Sequence, residues 1–154
     1  SEHLVVVRLA RAHLRYGEKV YSPLIEPGTA DILVAFEILE AVRYLPYLHR
    51  DSAVVVNTQK ILPPAVALGK ASYPENILDE LKSRHINVVA VDAFAVAESV
   101  GELRTANVAM VGAMSNFLAV SPEVFLQVID DTVKEQFRDV NKRAFSAGRA
   151  AVYA

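Results

Sequence analysis

The sequence predicts an α/β fold built on a mostly parallel sheet, and three observations predict it. Ile32 to Phe36 is a short apolar run, too brief for a helix by itself. Ala53 to Val56 is a β-branched run that ends in the polar cluster Asn57, Thr58 and Gln59. Between them, Ile38, Leu39, Val42, Leu45 and Leu48 recur at spacings of three and four, the period of a helix with one apolar face. A strand, a crossover helix and a second strand imply a parallel pair with a right-handed connection. The unit from Ala30 to Gln59 is therefore the expected centre of the fold.

The remaining elements follow in order. Leu4 to Leu9 and Ala12 to Tyr16 read as extended, and Lys19 to Ser22 follows Gly17-Glu18, where glycine can supply a tight II′-type turn. Together these predict a β-hairpin at the sheet margin. Pro23 and Pro27-Gly28 end it. After Gln59, the stretch from Lys60 to Pro74 holds Pro63, Pro64, Gly69 and Pro74 and reads as a wrapping connection. Pro74-Glu75 opens a helix to about Arg84, with Ile77, Leu78 and Leu81 inward. Asn87 to Val91 is a third apolar strand, and a helix over 93–100 follows it. Asn107 to Leu118 is apolar nearly all round, which predicts burial on every side by the core or by a second chain. Ser121-Pro122 starts a helix ending near Asp131. The last helix, from about Val133, carries Val133, Phe137, Val140 and Ala144 on one stripe and is expected to end near Gly148.

With 154 residues, the chain is long enough to bury a core without staples and is expected to be a single domain over residues 1–154. It has no cysteine, which excludes disulfides, thiolate metal sites and a cysteine nucleophile. That absence also points to a reducing, cytoplasmic compartment. A net charge of −2 and a pI near 6.1 leave no basic excess for nucleic acid. A hydrophobic content of 53% and a positive mean hydropathy suggest apolar surface that meets a partner. No membrane span accounts for it, because the longest apolar run, Val108 to Val120, is broken by Ser115 and Asn116 and falls short of the roughly 20 residues a span needs. Ser1 to Ala12, with Glu2, Arg8 and Arg11, is no signal peptide.

Candidate chemistry is sparse. The histidines His3, His13, His49 and His85 lie in separate elements, so no metal site is expected. Ser115 lacks the G-x-S-x-G elbow and sits inside a predicted helix, where it reads as a packing serine. Neither G-x-G-x-x-G nor a Walker sequence is present. What remains is Glu37, Asn57, Thr58, Gln59 and Asp92, each at or just past a strand's carboxyl end, where open α/β sheets bind ligands. Side by side, these strands would bring the five residues to one rim. Asp92 has a competing role as a helix N-cap, and the rim as a whole could serve capping and loop stabilisation. No catalytic residue emerges.

The wording of the sequence goes further than its pattern. YSPLIEPGTADILVAFEILEAVRYLPYL, AVVVNTQKILPPAVALGKASYP, NVVAVDAFAVAESVGELRTANVAMVGAMS and NKRAFSAGR resemble the gamma-type domain of 2-oxoacid:ferredoxin oxidoreductases, and within that family the indolepyruvate:ferredoxin oxidoreductase beta subunit. The resemblance covers roughly Ala12 to Arg149. Its specific parts are Tyr21 to Glu26, Leu45-Pro46-Tyr47-Leu48, Asn57 to Gln59, Arg104 to Gly112, and Asn141 with Ala144-Phe145. It implies a three-layer, Rossmann-like scaffold with C-terminal helices, packed on the larger subunits of an enzyme that decarboxylates a 2-oxoacid oxidatively to an acyl-CoA and reduces ferredoxin. Thiamine diphosphate and iron–sulfur clusters would reside in those large partner subunits, with none held firmly by this chain. Coenzyme A would be the co-substrate, and Asn57, Thr58 and Gln59 would contact it or the partner.

The chain departs from the family pattern at one point. Members usually begin with a strand and a Gly-x-Gly-Gly-Gln-Gly turn into a helix, and Ser1 to Arg11 shows neither, so the first strand and helix of the family fold are expected to be absent from this chain. Two alternatives stay open on the sequence. One is a pyruvate- or 2-oxoglutarate-type gamma subunit; the other is a non-enzymatic, homo-oligomeric small-molecule-binding module.

Overall fold

The computed structural model describes residues 3–8, 11–60, 62–84 and 87–152, residues 3–8 and 11 by their backbone. Leu9 and His85 lie outside the described residues. The chain forms two compact units, Ser1–Val89 and Ala90–Ala154.

The first unit carries the sheet. β1 (His3–Arg8) and β2 (Arg11–Tyr16) pair antiparallel, His3 opposite Tyr16 and Arg8 opposite Arg11. β3 (Ala30–Ala35) pairs parallel with β1, and β4 (Leu48–Asn57) pairs parallel with β3. With β5 (Asn87–Val91), the strand order is β2-β1-β3-β4-β5. The fold class expected from sequence is the one observed, including a hairpin at the sheet edge. That hairpin, however, is β1–β2 and does not turn about Gly17-Glu18. Lys19 to Ser22 forms no strand, and the positive-φ glycines among the described residues are Gly28, Gly69 and Gly101. Arg15 ties the segment down instead, donating from Nη1 to the carbonyls of Ser22 at 3.0 Å and Leu24 at 3.1 Å.

Apolar residues at both faces make β3 a central strand: Ile32, Leu33, Val34 and Ala35 are all buried, as are Ala53 to Val56 of β4. α1 (Ile38–Arg43) and α3 (Ile77–Ser83) cover one face, with Leu33, Val54, Val56, Ile38, Ile77 and Leu81 in one core cluster. The crossover helix is shorter than its apolar period suggests. Leu45 to Tyr47 is a 3₁₀ turn containing Pro46, whose ring nitrogen has no hydrogen to continue an α-helix, and Leu48 already belongs to β4. α3 likewise begins at Ile77, because Asn76 takes a left-handed φ of 63° that no helix interior accepts. Within the wrapping connection, α2 (Pro64–Ala67) is a single turn.

β4 enters the sheet through an irregularity. Ala30 pairs with Leu48 but Ile32 pairs with Ala53, so β4 advances five positions while β3 advances two. Ser52, fully buried, stitches the excursion: its Oγ donates to the Ala30 carbonyl at 2.7 Å and accepts from the His49 N–H at 2.8 Å. His49 Nδ1 accepts from the Asp51 N–H at 3.2 Å, leaving Nε2 as the donor toward Asp31 Oδ1 at 3.1 Å. Removing the hydroxyl leaves a buried carbonyl without this donor. Ser52→Ala is expected to cost on the order of 1–3 kcal/mol, read as a lower urea midpoint with an unchanged slope.

The second unit is helical: α4 (Ala93–Ser99), α5 (Ala106–Ser115), α6 (Pro122–Thr132) and α7 (Glu135–Ala151). α5 ends three residues before the expected Leu118, its last residues continuing as i→i−3 turns. α7 runs past Gly148, which is no terminus here but a crossing point. A Cβ on Gly148 would overlap the Ala109 carbonyl and come within 2.6 Å of its carbon, and one on Gly112 would overlap the Phe145 carbonyl and lie 2.9 Å from Arg149 N. Two glycines thus let α5 and α7 touch backbone to backbone. This contact supplies part of the cover that the apolar circumference of α5 demands. Phe125 stacks on Phe145 at 5.2 Å alongside it.

Candidate functional site

The carboxyl ends of β3 and β4 lie next to each other, and the first unit gathers its polar residues there. Asn57, the last residue of β4, is 1% exposed and donates from Nδ2 to the carbonyl of Phe36, just past β3, at 3.3 Å. This bond joins the two strand ends. Thr58 is half-buried and Gln59 exposed. Glu37 is 8% exposed and doubly engaged: Oε2 accepts from the Leu39 N–H at 2.9 Å as the N-cap of α1, and Oε1 accepts from the Tyr73 hydroxyl at 2.6 Å. Burial, then the hydrogen bond and charge of Glu37, push the Tyr73 phenol above its ordinary value.

Tyr73 is the residue that sequence reasoning missed. Its hydroxyl fastens the irregular 60–76 connection to the rim, and its ring lies under the Lys60 ammonium, 5.4 Å from Nζ to the centroid. An open cleft of about 220 Å³ sits beside it, floored by Ile38, Ile77 and Leu78 and edged by Lys60 and Asn76. A local hint existed in the Tyr73-Pro74 pair closing a proline-rich stretch, but nothing in the sequence names the partner.

Glu37, Asn57, Thr58 and Gln59 are therefore brought together as expected. Asp92 belongs to the second unit, where its carboxylate accepts from the Ala95 N–H at 2.9 Å and caps α4, the capping role set out for it. Ser115 is buried, donating to the Gly112 carbonyl at 2.6 Å and accepting from Arg149 Nη1 at 2.8 Å, a packing serine as read from sequence. His13 accepts from the Ile25 N–H at 3.4 Å, so His13 and His49 both serve backbone or cross-strand bonds. Among the described residues no group of three or more metal-ligating side chains forms. Chemically, the rim can bind but has no poised acid and base: the carboxyl oxygens of Glu37 hold a helix end and a tyrosine, and Thr58, Gln59 and Lys60 offer donors to a ligand or a protein surface.

The sequence profile described as Pyruvate ferredoxin/flavodoxin oxidoreductase matches residues 7–151. The chain belongs to this family. Among its curated relatives, the indolepyruvate oxidoreductase subunit IorB of Archaeoglobus fulgidus is 36% identical over 140 residues, covering 88% of this chain and 69% of that protein. IorB of Thermococcus kodakarensis is 37% identical over 144 residues, covering 89% and 70%. The fold recurs in the gamma subunit of a keto/oxoacid ferredoxin oxidoreductase from Geobacter sulfurreducens, with a TM-score of 0.60 at 22% identity over 86% of this chain and 67% of that one. It recurs in the 2-oxoglutarate:ferredoxin oxidoreductase of Magnetococcus marinus, with a TM-score of 0.63 at 19% identity over 90% of this chain and 22% of that one. The family resemblance read from the sequence is thus correct, and the curated relatives named above are indolepyruvate oxidoreductase subunits. Among the described residues no helix is long and apolar enough to cross a membrane.

Proposed function

We propose that this chain is the small subunit of an indolepyruvate-type 2-oxoacid:ferredoxin oxidoreductase, a single subunit domain over residues 1–154 working in the cytoplasm. The observation that carries the reading is the family match over residues 7–151, with indolepyruvate oxidoreductase subunits as relatives at 36–37% identity. In the reaction the carboxylate leaves as carbon dioxide, the acyl carbon passes to the thiol sulfur of coenzyme A, and the electrons released reduce ferredoxin. Thiamine diphosphate and the iron–sulfur clusters belong to the large partner subunit. A chain without cysteine has no thiolate to ligate a cluster, and a rim without a free acid–base pair suits a supporting role.

This chain's own residues bind and position. Asn57 fixes the ends of β3 and β4, and that leaves the Thr58 hydroxyl and Gln59 amide facing coenzyme A or the thiamine-bearing subunit. Purified alone, the chain is expected to give no dye reduction with indolepyruvate and coenzyme A, and adding the large subunit restores it. Dye reduction by the isolated chain, or full activity of the large subunit without it, overturns the proposal.

A further inference from the structure

Residues 62–76 are tied to the rest of the first unit at few points. Pro63, Val66 and Tyr73 are half-buried, and every other residue of the segment is exposed. Among the described residues, the backbone hydrogen bonds of 62–74 close within the segment itself, such as the Gly69 N–H to the Val66 carbonyl at 3.0 Å and the Lys70 N–H to the Ala65 carbonyl at 2.8 Å. One side-chain hydrogen bond among the described residues leaves it, from the Tyr73 hydroxyl to Glu37. Nor is the segment packed down: the open cleft of about 220 Å³ is lined by Tyr73, Pro74 and Asn76 on its side and by Ile38, Ile77 and Leu78 on the other. A stretch with little buried apolar surface and self-contained hydrogen bonds opens far more readily than the sheet beside it.

Its ends suit that motion. Tyr73 folds back on the start of the segment, its ring centroid 5.4 Å from the ammonium of Lys60, so the stretch closes on itself as a compact surface loop. The far end turns at Asn76, the one described residue other than glycine with a positive φ, and the Asn76 side chain forms no cap on α3. A left-handed asparagine that caps nothing is a backbone outlier held by its surroundings, and such outliers mark places where a chain switches conformation. The latch also hides what it binds. Glu37 is 8% exposed with Tyr73 on it, and because Lys60 directly follows Gln59, the closed loop stands beside the residues proposed to face coenzyme A.

We infer that residues 62–76 are a strap that gates the rim: latched by Tyr73 on Glu37 it blocks coenzyme A, and unlatched it pivots at Asn76 and admits it. The gate deepens the function proposed above and rests on it. When the binding-competent form is a small fraction of the population, apparent affinity falls by that fraction, so breaking the latch tightens binding. Two measurements test this. The chain has no cysteine, so in the isolated full chain the rate of alkylation by iodoacetamide reports strap opening in Ile38→Cys, at a site 3% exposed that lines the cleft, and global unfolding in Val54→Cys, fully buried in β4. Adding Tyr73→Phe is expected to speed alkylation at position 38 at least about fivefold more than at position 54. In the enzyme assembled with its large subunit, Tyr73→Phe is expected to lower KM for coenzyme A at least about threefold while KM for indolepyruvate is unchanged. Equal acceleration at the two positions means no opening short of unfolding and overturns the strap. Faster alkylation at position 38 with an unchanged or raised KM for coenzyme A overturns the gate while the subunit reading stands. A wild-type chain that gives no activity with the large subunit overturns the subunit reading, and the gate falls with it.

Discussion

Gly148→Ala is expected to destabilise the helical unit by on the order of 3 kcal/mol or more. The added Cβ would overlap the Ala109 carbonyl and lie 2.6–2.7 Å from that residue's carbon and Cα, so the opposing atoms are backbone and cannot rotate aside. Relief requires α5 and α7 to separate along a contact that also holds Arg149 Nη1 on Ser115 and Asn116 Nδ2 on the Arg149 carbonyl. In a protein of this size the loss corresponds to a melting point lower by roughly 6–12 °C. Calorimetry of the variant measures it, and a melting point within about 2 °C of wild type would show that the crossing is slack. Gly112→Ala, aimed at the Phe145 carbonyl from the other helix, should behave alike, and the two together should cost less than their sum because one separation relieves both.

Glu37→Ala carries the second largest expected effect. Its carboxyl group is one residue's answer to two needs, the N–H of Leu39 at the start of α1 and the hydroxyl of Tyr73 from the far side of the connection. Truncation removes a helix cap, typically about 1 kcal/mol, and a hydrogen bond to a charged acceptor, about 1.5–3 kcal/mol. Tyr73→Phe removes only the second and should show correspondingly less, with faster amide exchange confined to residues 60–76. The pH dependence has a definite sign. Because the folded state holds the Tyr73 proton more tightly than the unfolded chain does, this contribution is complete below the ordinary phenol value of 10.0 and declines as pH rises past it. The stability gap between wild type and Tyr73→Phe therefore narrows above about pH 10. A gap that widens there would refute the hydrogen bond.

What the sequence could convey follows from how far apart the interacting residues are. β3 and β4 were legible because a buried parallel strand advertises itself in a short apolar run, and Asp92 because a cap and its N–H lie three residues apart. Glu37 was legible as a rim residue, but not as the anchor of Tyr73, thirty-six positions away. The apolar period from Ile38 to Leu48 overstated α1 because a 3₁₀ turn and a strand start can bury leucines at the same spacing as a helix. Gly17-Glu18 has the composition of a hairpin turn, yet β2 found its neighbour upstream in β1. Gly148 misled for a related reason: a glycine late in a helix signals its end or a close neighbour, and only the position of α5 decides which.

The irregular entry of β4 gives the fold a tolerance for changes in chain length. Three residues of that strand are accommodated before Ala53 without displacing anything after it, because the pairing from Ile32–Ala53 to Ala35–Val56 is regular. A deletion of residues 49–51 is expected to forfeit the His49 hydrogen bonds to Ser52 and Asp31, while the regular pairing beyond Ile32–Ala53 keeps Asn57, Thr58 and Gln59 at their height along the sheet. Variation at the amino end of the strand is absorbed there, and the carboxyl rim is insulated from it.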